Sequence, residues 1–232
     1  CLAHDLGNPP FGHSGEQAIG TYFSEGEGQL LREKLTDEEW NDLIHFEGNA
    51  NAFRLLTHQF CGRRRGGFVM TYSTLASIVK YPFASSLAGS KAKFGFFQSE
   101  ADDYLRIARE LGIKQLSTDG EPLRFARYPL VYLVEAADDI CYQLMDIDDA
   151  HKLKLLTTDE TVELLMGFLN ERKQQRAKEV FSAVSDTNEQ IAYLRSTIVG
   201  LLIGECTNVF MEHEEEILQD TFEGSLIKQM CT

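Results

Sequence analysis

Pro129-Leu130-Val131-Tyr132-Leu133-Val134-Glu135-Ala136-Ala137-Asp138-Asp139-Ile140-Cys141-Tyr142, continued by Gln143-Leu144-Met145-Asp146, is the stretch that decides the fold. Proline suits the first turn of a helix, where its missing amide hydrogen would have had no partner. Apolar residues then recur at 130, 131, 133, 134, 137, 140, 141, 144 and 145, the three-and-four spacing of an α-helix. Their density predicts a largely buried helix with Cys141 in the core. Asp138, Tyr142 and Asp146 stand four residues apart and share one stripe, which Glu135 extends. Acidic groups on so apolar a helix are costly to bury without a cation or hydrogen-bond donors. On the polar side of an amphipathic helix they would simply meet water. Asp139, roughly 100 degrees round from Asp138, is the weaker candidate for a site.

Helix signals dominate the remaining sequence as well. Thr36-x-x-Glu39 forms a capping-box pattern ahead of Trp40, Leu43 and Ile44, and Ser99-x-x-Asp102 a related one ahead of a helix ending at Gly112. Thr157-x-x-Glu160 precedes Val162, Leu164, Leu165 and Phe168, and Asp186-x-x-Glu189 opens a longer pattern through Ile191, Leu194, Ile198, Leu201, Leu202 and Val209. Asp119-Gly120 lacks alternating runs on both sides, so it reads as a connecting turn with room for one short β-hairpin. No internal repeat, low-complexity tract or linker interrupts the chain. The expected fold is all-α, with functional side chains gathered from helices far apart in sequence.

At 232 residues the chain suffices for one well-buried core and reads as a single domain over 1–232. Its 22 Lys and Arg against 36 Asp and Glu leave a net charge of −14, which argues against a general double-stranded nucleic-acid surface but leaves a nucleotide pocket open. Local positive charge comes from Arg63-Arg64-Arg65, Lys80, Lys91, Lys93, Arg124 and Arg127. The arginine triplet, followed by Gly66-Gly67, reads as a solvated loop, with an oligomer interface or single-stranded nucleic-acid contact as the alternative. Five cysteines with no Cys-x-x-Cys pair point to reduced thiols and a cytoplasmic protein. No apolar run approaches the ~20 residues of a membrane span.

The chemistry is concentrated at the start, in His4-Asp5-Leu6-Gly7-Asn8-Pro9-Pro10-Phe11-Gly12-His13-Ser14-Gly15-Glu16. Near the end of a helix, the neighbouring His4 and Asp5 can lean toward one cation, the imidazole as a neutral nitrogen donor and the carboxylate as a hard oxygen donor. Pro9 and Pro10 would stop that helix. Gly7, Gly12 and Gly15 would permit a sharp reversal that returns His13 and Glu16 toward the metal. His13 and Glu16 lie three residues apart, one helical turn, so the carboxylate can orient the imidazole for proton transfer. A lone His-Asp pair or a Gly-Pro-rich stretch is usually just a loop. The whole run reads as a hydrolytic metal site.

That run resembles the HD-x-G-x-PPFGH-x-GE signature of the deoxynucleoside triphosphate triphosphohydrolases, the dGTPase branch of the HD-domain superfamily. His45-Phe46-Glu47-Gly48-Asn49-Ala50-Asn51 is similar to the family's FEGNAQ segment, with Asn51 where glutamine is usual. Met70-Thr71-Tyr72-Ser73-Thr74-Leu75 with Lys80-Tyr81-Pro82, Lys93-Phe94-Gly95-Phe96-Phe97 and the Pro129–Tyr142 stretch resemble further family elements. The likeness runs to about residue 150, beyond which only a generic helical continuation is legible.

The resemblance implies an HD-domain helical fold and one divalent metal (Mn, Mg, Fe, Co, Ni or Zn) held by His4, Asp5 and Asp138. It implies His13 and Glu16 as the catalytic pair, and Asn49, Lys80, Tyr81, Lys93, Tyr142 and Asp146 as substrate contacts. The expected reaction is hydrolysis of a deoxynucleoside triphosphate, dGTP-like, to deoxynucleoside and tripolyphosphate, in a homo-oligomer. In the family a further histidine lies upstream of the His-Asp pair. Here the chain begins three residues before His4, so it is expected to be a piece of a longer protein, with water completing the coordination in place of an improvised ligand such as His45. The alternatives are an HD phosphohydrolase acting on another nucleotide and a non-catalytic dNTP-sensing oligomeric module.

Overall fold

A computed structural model describes residues 1–62 and 66–230. Arg63-Arg64-Arg65 lie outside the described residues. The chain packs as two compact units, Cys1–Val134 and Glu135–Thr232. Both are helical, as expected. Among the described residues no sheet forms and no helix is long and apolar enough to cross a membrane.

The first unit contains α1 (Gly12–Ser24), α2 (Asp37–Ile44), α3 (Gly48–Thr57), α4 (Tyr72–Ile78), α5 (Ala101–Leu111) and the first turn of α6 (Val131–Lys152). The Thr36 capping box forms as the sequence predicts: the Glu39 amide donates to Thr36 Oγ1 at 3.2 Å and the Thr36 amide donates to Glu39 Oε2 at 2.9 Å. The Ser99 cap does not form. Ser99 Oγ instead donates to Glu100 Oε2 at 2.9 Å, and Arg54 Nη1 donates to Glu100 Oε1 at 3.0 Å, because the buried Glu100 carboxylate needs those donors more than the helix end does. Gly112, at φ 67°, closes α5 in the left-handed conformation that only glycine adopts without cost.

The core of this unit is aromatic. Phe96 stacks on the fully buried Tyr104 at 4.9 Å between ring centroids, and Phe53 and Phe125 meet the same ring edge-on at 5.7 and 5.2 Å. Leu56, Leu75, Ile78, Val79 and Ile107 fill in around them. The anticipated hairpin is reduced to one antiparallel bridge, Gln115 with Phe125, around a turn in which the Glu121 amide donates to Thr118 O at 3.1 Å. The 123–125 backbone pairs instead with 82–84, the Ala84 amide donating to Leu123 O at 2.9 Å and the Phe125 amide to Pro82 O at 2.8 Å.

Asp42, on the inner face of α2, is buried and accepts the Gln98 amide at 2.7 Å. Burial, reinforced by the nearby Glu100 and Glu39 charges, pushes its carboxyl up to about 6 against the pull of donors from Ser85 and Gln98. A carboxyl whose folded-state value is raised destabilises the fold above that value, and the penalty fades as pH falls from about 6 toward the unfolded value near 4. The penalty at neutral pH is about 3 kcal/mol at most. Asp42→Asn is therefore expected to raise stability at pH 7.5 and to flatten the pH dependence below 6, read by urea denaturation at pH 5 and 7.5. An unchanged pH profile would contradict this assignment.

The second unit continues α6 and adds α7 (Thr158–Gly167), α8 (Glu171–Ala183), α9 (Thr187–Glu212), α10 (Glu214–Leu218) and α11 (Leu226–Gln229). The predicted caps form at Thr157, a full capping box, and at Asp186, which accepts the Glu189 amide at 3.0 Å. Leu165, Leu169, Ala177, Ile191, Leu194, Ile198, Val209, Ile217 and Leu226 are its buried core. The helix α6 is less buried than its apolar density suggests. One four-residue repeat, Ala136, Ile140, Leu144 and Asp148, is inside, while Cys141 and Met145 are exposed. Apolar residues all round a helix exceed what one packing stripe can cover. Asp148 ends the buried stripe as the partner of Arg195 and Lys152.

Candidate functional site

The backbone from Cys1 to Asn8 forms successive turns, with amides of His4, Leu6 and Asn8 donating to the carbonyls three residues earlier, rather than the end of a helix. A residue before proline is driven out of the helical region, which removes the last turn such a helix would need ahead of Pro9. The turns nonetheless aim the two donors. His4 Nδ1 lies 2.6 Å from the Cys1 carbonyl, and since a carbonyl can only accept, Nδ1 carries the proton and Nε2 is the basic nitrogen of the neutral ring. Asn8 Nδ2 donates to Asp5 Oδ1 at 2.9 Å, turning Oδ2 toward His4 Nε2 at 3.4 Å. An imidazole with its far nitrogen tied to a carbonyl, beside a carboxylate oriented by an amide, is the donor arrangement of a metal ligand pair.

The loop is seated on α3. Asn51 Nδ2 donates to Gly7 O at 2.8 Å, and a Cβ on Gly7 would come within 2.1 Å of Ala52 N and Gly48 O. Gly48 in turn lies against Asn8, and a Cβ there would meet Asn8 Oδ1 at 2.3 Å. Phe11, at φ 68°, turns the chain into α1 and brings His13 and Glu16 to the first turns of that helix.

His13 Nδ1 lies 2.8 Å from Glu16 Oε2, and the Gly48 amide donates to Glu16 Oε1 at 2.8 Å. Glu16 is therefore fixed at both oxygens, one of them at the start of α3, while the His13 side chain is 80 % exposed. Burial alone would raise the Glu16 carboxyl, but the hydrogen bonds from His13 and Gly48 and the charge of Lys93 outweigh it and hold the carboxyl below its ordinary value. An ionised Glu16 accepts a hydrogen bond from Nδ1–H, which leaves Nε2 as the unprotonated nitrogen of the neutral ring.

Lys93 Nζ donates to Glu47 Oε1 at 2.8 Å and stands 3.6 Å from Glu16 Oε2. Glu47 also caps α3 through the Ala50 amide at 3.0 Å and takes Asn49 Nδ2 at 2.8 Å. Lys80 Nζ sits 5.8 Å from the centre of the Tyr81 ring. The first unit thus brings together His4 with Asp5, His13 with Glu16, and Lys93 and Asn49 with Glu47. Asp138, Tyr142 and Asp146 belong to α6 in the second unit, Asp138 half-buried and the other two exposed along one side of the helix. Glu47, Asn8, Asn51 and the Gly7–Gly48 approach were not singled out by sequence reasoning. Glu47 was visible as an N-cap, since it sits three residues before the amide it caps, and Asn8 reaches Asp5 within one turn; the bond from Asn51 to Gly7 depends on docking across 44 residues.

No family model matches the chain. A deoxyguanosinetriphosphate triphosphohydrolase-like protein of Pseudomonas aeruginosa is 39 % identical over 238 residues, covering 99 % of this chain and 52 % of the relative. One of Synechocystis sp. is 34 % identical over 98 % of this chain and 52 % of its own length. A deoxyguanosinetriphosphate triphosphohydrolase of Serratia proteamaculans is 31 % identical over 98 % of the chain and 51 % of the relative. The chain spans about half the length of the curated relatives it matches. Over nearly its whole length, the chain is similar to the family of deoxyguanosinetriphosphate triphosphohydrolase-like proteins.

Proposed function

We propose that this chain carries the metal-binding and proton-transfer parts of an enzyme that hydrolyses deoxynucleoside triphosphates, dGTP-like, to deoxynucleoside and inorganic tripolyphosphate. The observation that carries the reading is the His13–Glu16 pair, tied through Gly48 and Asn8 to the oriented His4–Asp5 pair. The names of the relatives support the substrate class.

The His4 nitrogen and Asp5 carboxylate fit a divalent ion by their donor chemistry and their orientation, and Asp138 is proposed as the third protein ligand, with water completing the set. Mn, Mg, Fe, Co, Ni and Zn all suit this mixed set. Such an ion, when bound, supplies positive charge against the α-phosphate. Water adds to the α-phosphorus and the bond to the 5′ oxygen breaks, with one water consumed and one deoxynucleoside and one tripolyphosphate released. His13 Nε2 moves the proton between water and the departing oxygen, while Glu16 holds the ring and stabilises its charged form. Lys80, Tyr81, Lys93 and Asn49 from the first unit, and Tyr142 and Asp146 from α6, hold the sugar and phosphates in line. Four cysteines among the described residues are free thiols, in keeping with a cytoplasmic setting.

Incubating the protein with each dNTP and Mn²⁺, followed by phosphate analysis, tests the reading. Intact tripolyphosphate is expected. Pyrophosphate with a monophosphate, or no turnover with any dNTP, would overturn it.

A further inference from the structure

Lys93 has a second use for its charge. We infer that Lys93 is a positioning residue that clamps the Glu16 carboxylate between buried Glu47 and His13, so that the order His13–Glu16–Lys93–Glu47 sets which nitrogen of His13 is basic. This deepens the proposed function and rests on its assignment of proton transfer to His13.

Three observations carry the inference. Glu47 is 1 % exposed, its Oε2 is filled by the Ala50 amide, and its Oε1 takes the Lys93 ammonium together with Asn49. A carboxylate buried that deeply needs a cation. Lys93 is thus anchored from behind by Glu47. The same ammonium faces Glu16 at 3.6 Å, too long for a hydrogen bond but well within the range at which an opposite charge favours the ionised form. Glu16 meets His13 from α1, the Gly48 amide from α3 and Lys93 from the 93–97 segment, and Lys93 meets Glu47 and Tyr81. Of these, only Lys93 is a fixed cation. Burial would lower the Lys93 ammonium, but the hydrogen bond and charge of Glu47, with Glu16, hold it above its ordinary value, so it stays charged. A protonated Glu16 would donate to Nδ1 and move the His13 proton to Nε2, removing the base.

Removing Lys93 alone would strand Glu47, so the informative pair is Glu47→Gln and the double variant Glu47→Gln with Lys93→Met, which has no stranded charge. The Glu16 carboxyl resonance is titrated in both by NMR in the absence of substrate. The double variant is expected to titrate about one pH unit higher, a tenfold change in protonated fraction. With turnover measured, the acidic limb of the kcat profile should move the same way. A Glu16 midpoint identical in the two variants would overturn the inference. The resonance reads Lys93 even if no dNTP is hydrolysed, which separates failure of this inference from failure of the proposed activity.

Discussion

Gly7→Ala is expected to dislodge the opening loop and lower the melting temperature by about 10 °C. The added methyl would sit 2.1 Å from Ala52 N and Gly48 O, both backbone atoms of α3, so relief requires the loop or the helix to move rather than a side chain to rotate. Overpacking of this kind costs about 3 kcal/mol when no flexible neighbour can yield, and in a chain of this size each kcal/mol corresponds to roughly 2–4 °C. Because the same loop aims His4 and Asp5, the variant should also lose affinity for Mn²⁺. Gly12→Ala is the control. Its Cβ would meet open space, and at φ 54° it incurs only the left-handed backbone penalty of about 1–2 kcal/mol. Calorimetry on the two variants ranks them, and a Gly7→Ala protein that melts with the parent would show that the loop is not held against α3 as described.

His13→Ala is expected to lower kcat for dNTP hydrolysis by about 10²–10⁴, the range for removing a positioned general acid or base. Its effect on stability should be small, because the side chain is 80 % exposed and its one strong partner, Glu16, keeps the Gly48 amide and Lys93. Glu16→Gln should cut kcat as well, since an amide in place of the carboxylate removes the charge that fixes and stabilises the imidazole. It should also weaken the tie to α3 at Gly48, so it combines a catalytic loss with a modest thermal one. Steady-state kinetics beside thermal melts separate the two effects. Full turnover in His13→Ala would reject the proton-transfer role.

Much of the architecture was legible because it is local. Thr36, Thr157 and Asp186 cap helices through contacts that span only three residues, and Gly112 ends α5 by a conformational preference that needs no neighbour. Ser99 misled for a long-range reason: buried Glu100, paired with Arg54 from a distant helix, competes for its hydroxyl. The apolar richness of α6 likewise reports a composition, not which of its faces another element covers. At the site, the contacts within the His4–Asp5 and His13–Glu16 pairs are legible because they span one and three residues, while their roles rest on the family resemblance. The role of Glu47 as the buried anchor of Lys93 was not legible, since it depends on a contact between residues 46 positions apart. Lys93 and Asn49, which the family resemblance assigns to the substrate, both also meet Glu47, contacts that no motif spacing encodes.

The most direct measurement is anomalous scattering from crystals of the protein grown with Mn²⁺. The account predicts one peak bonded at once to His4 Nε2 and to carboxylate oxygens of Asp5 and Asp138, abolished by His4→Ala. A Mn²⁺ peak bonded to His4 and Asp5 but not to Asp138, or no peak at that pair, would contradict it.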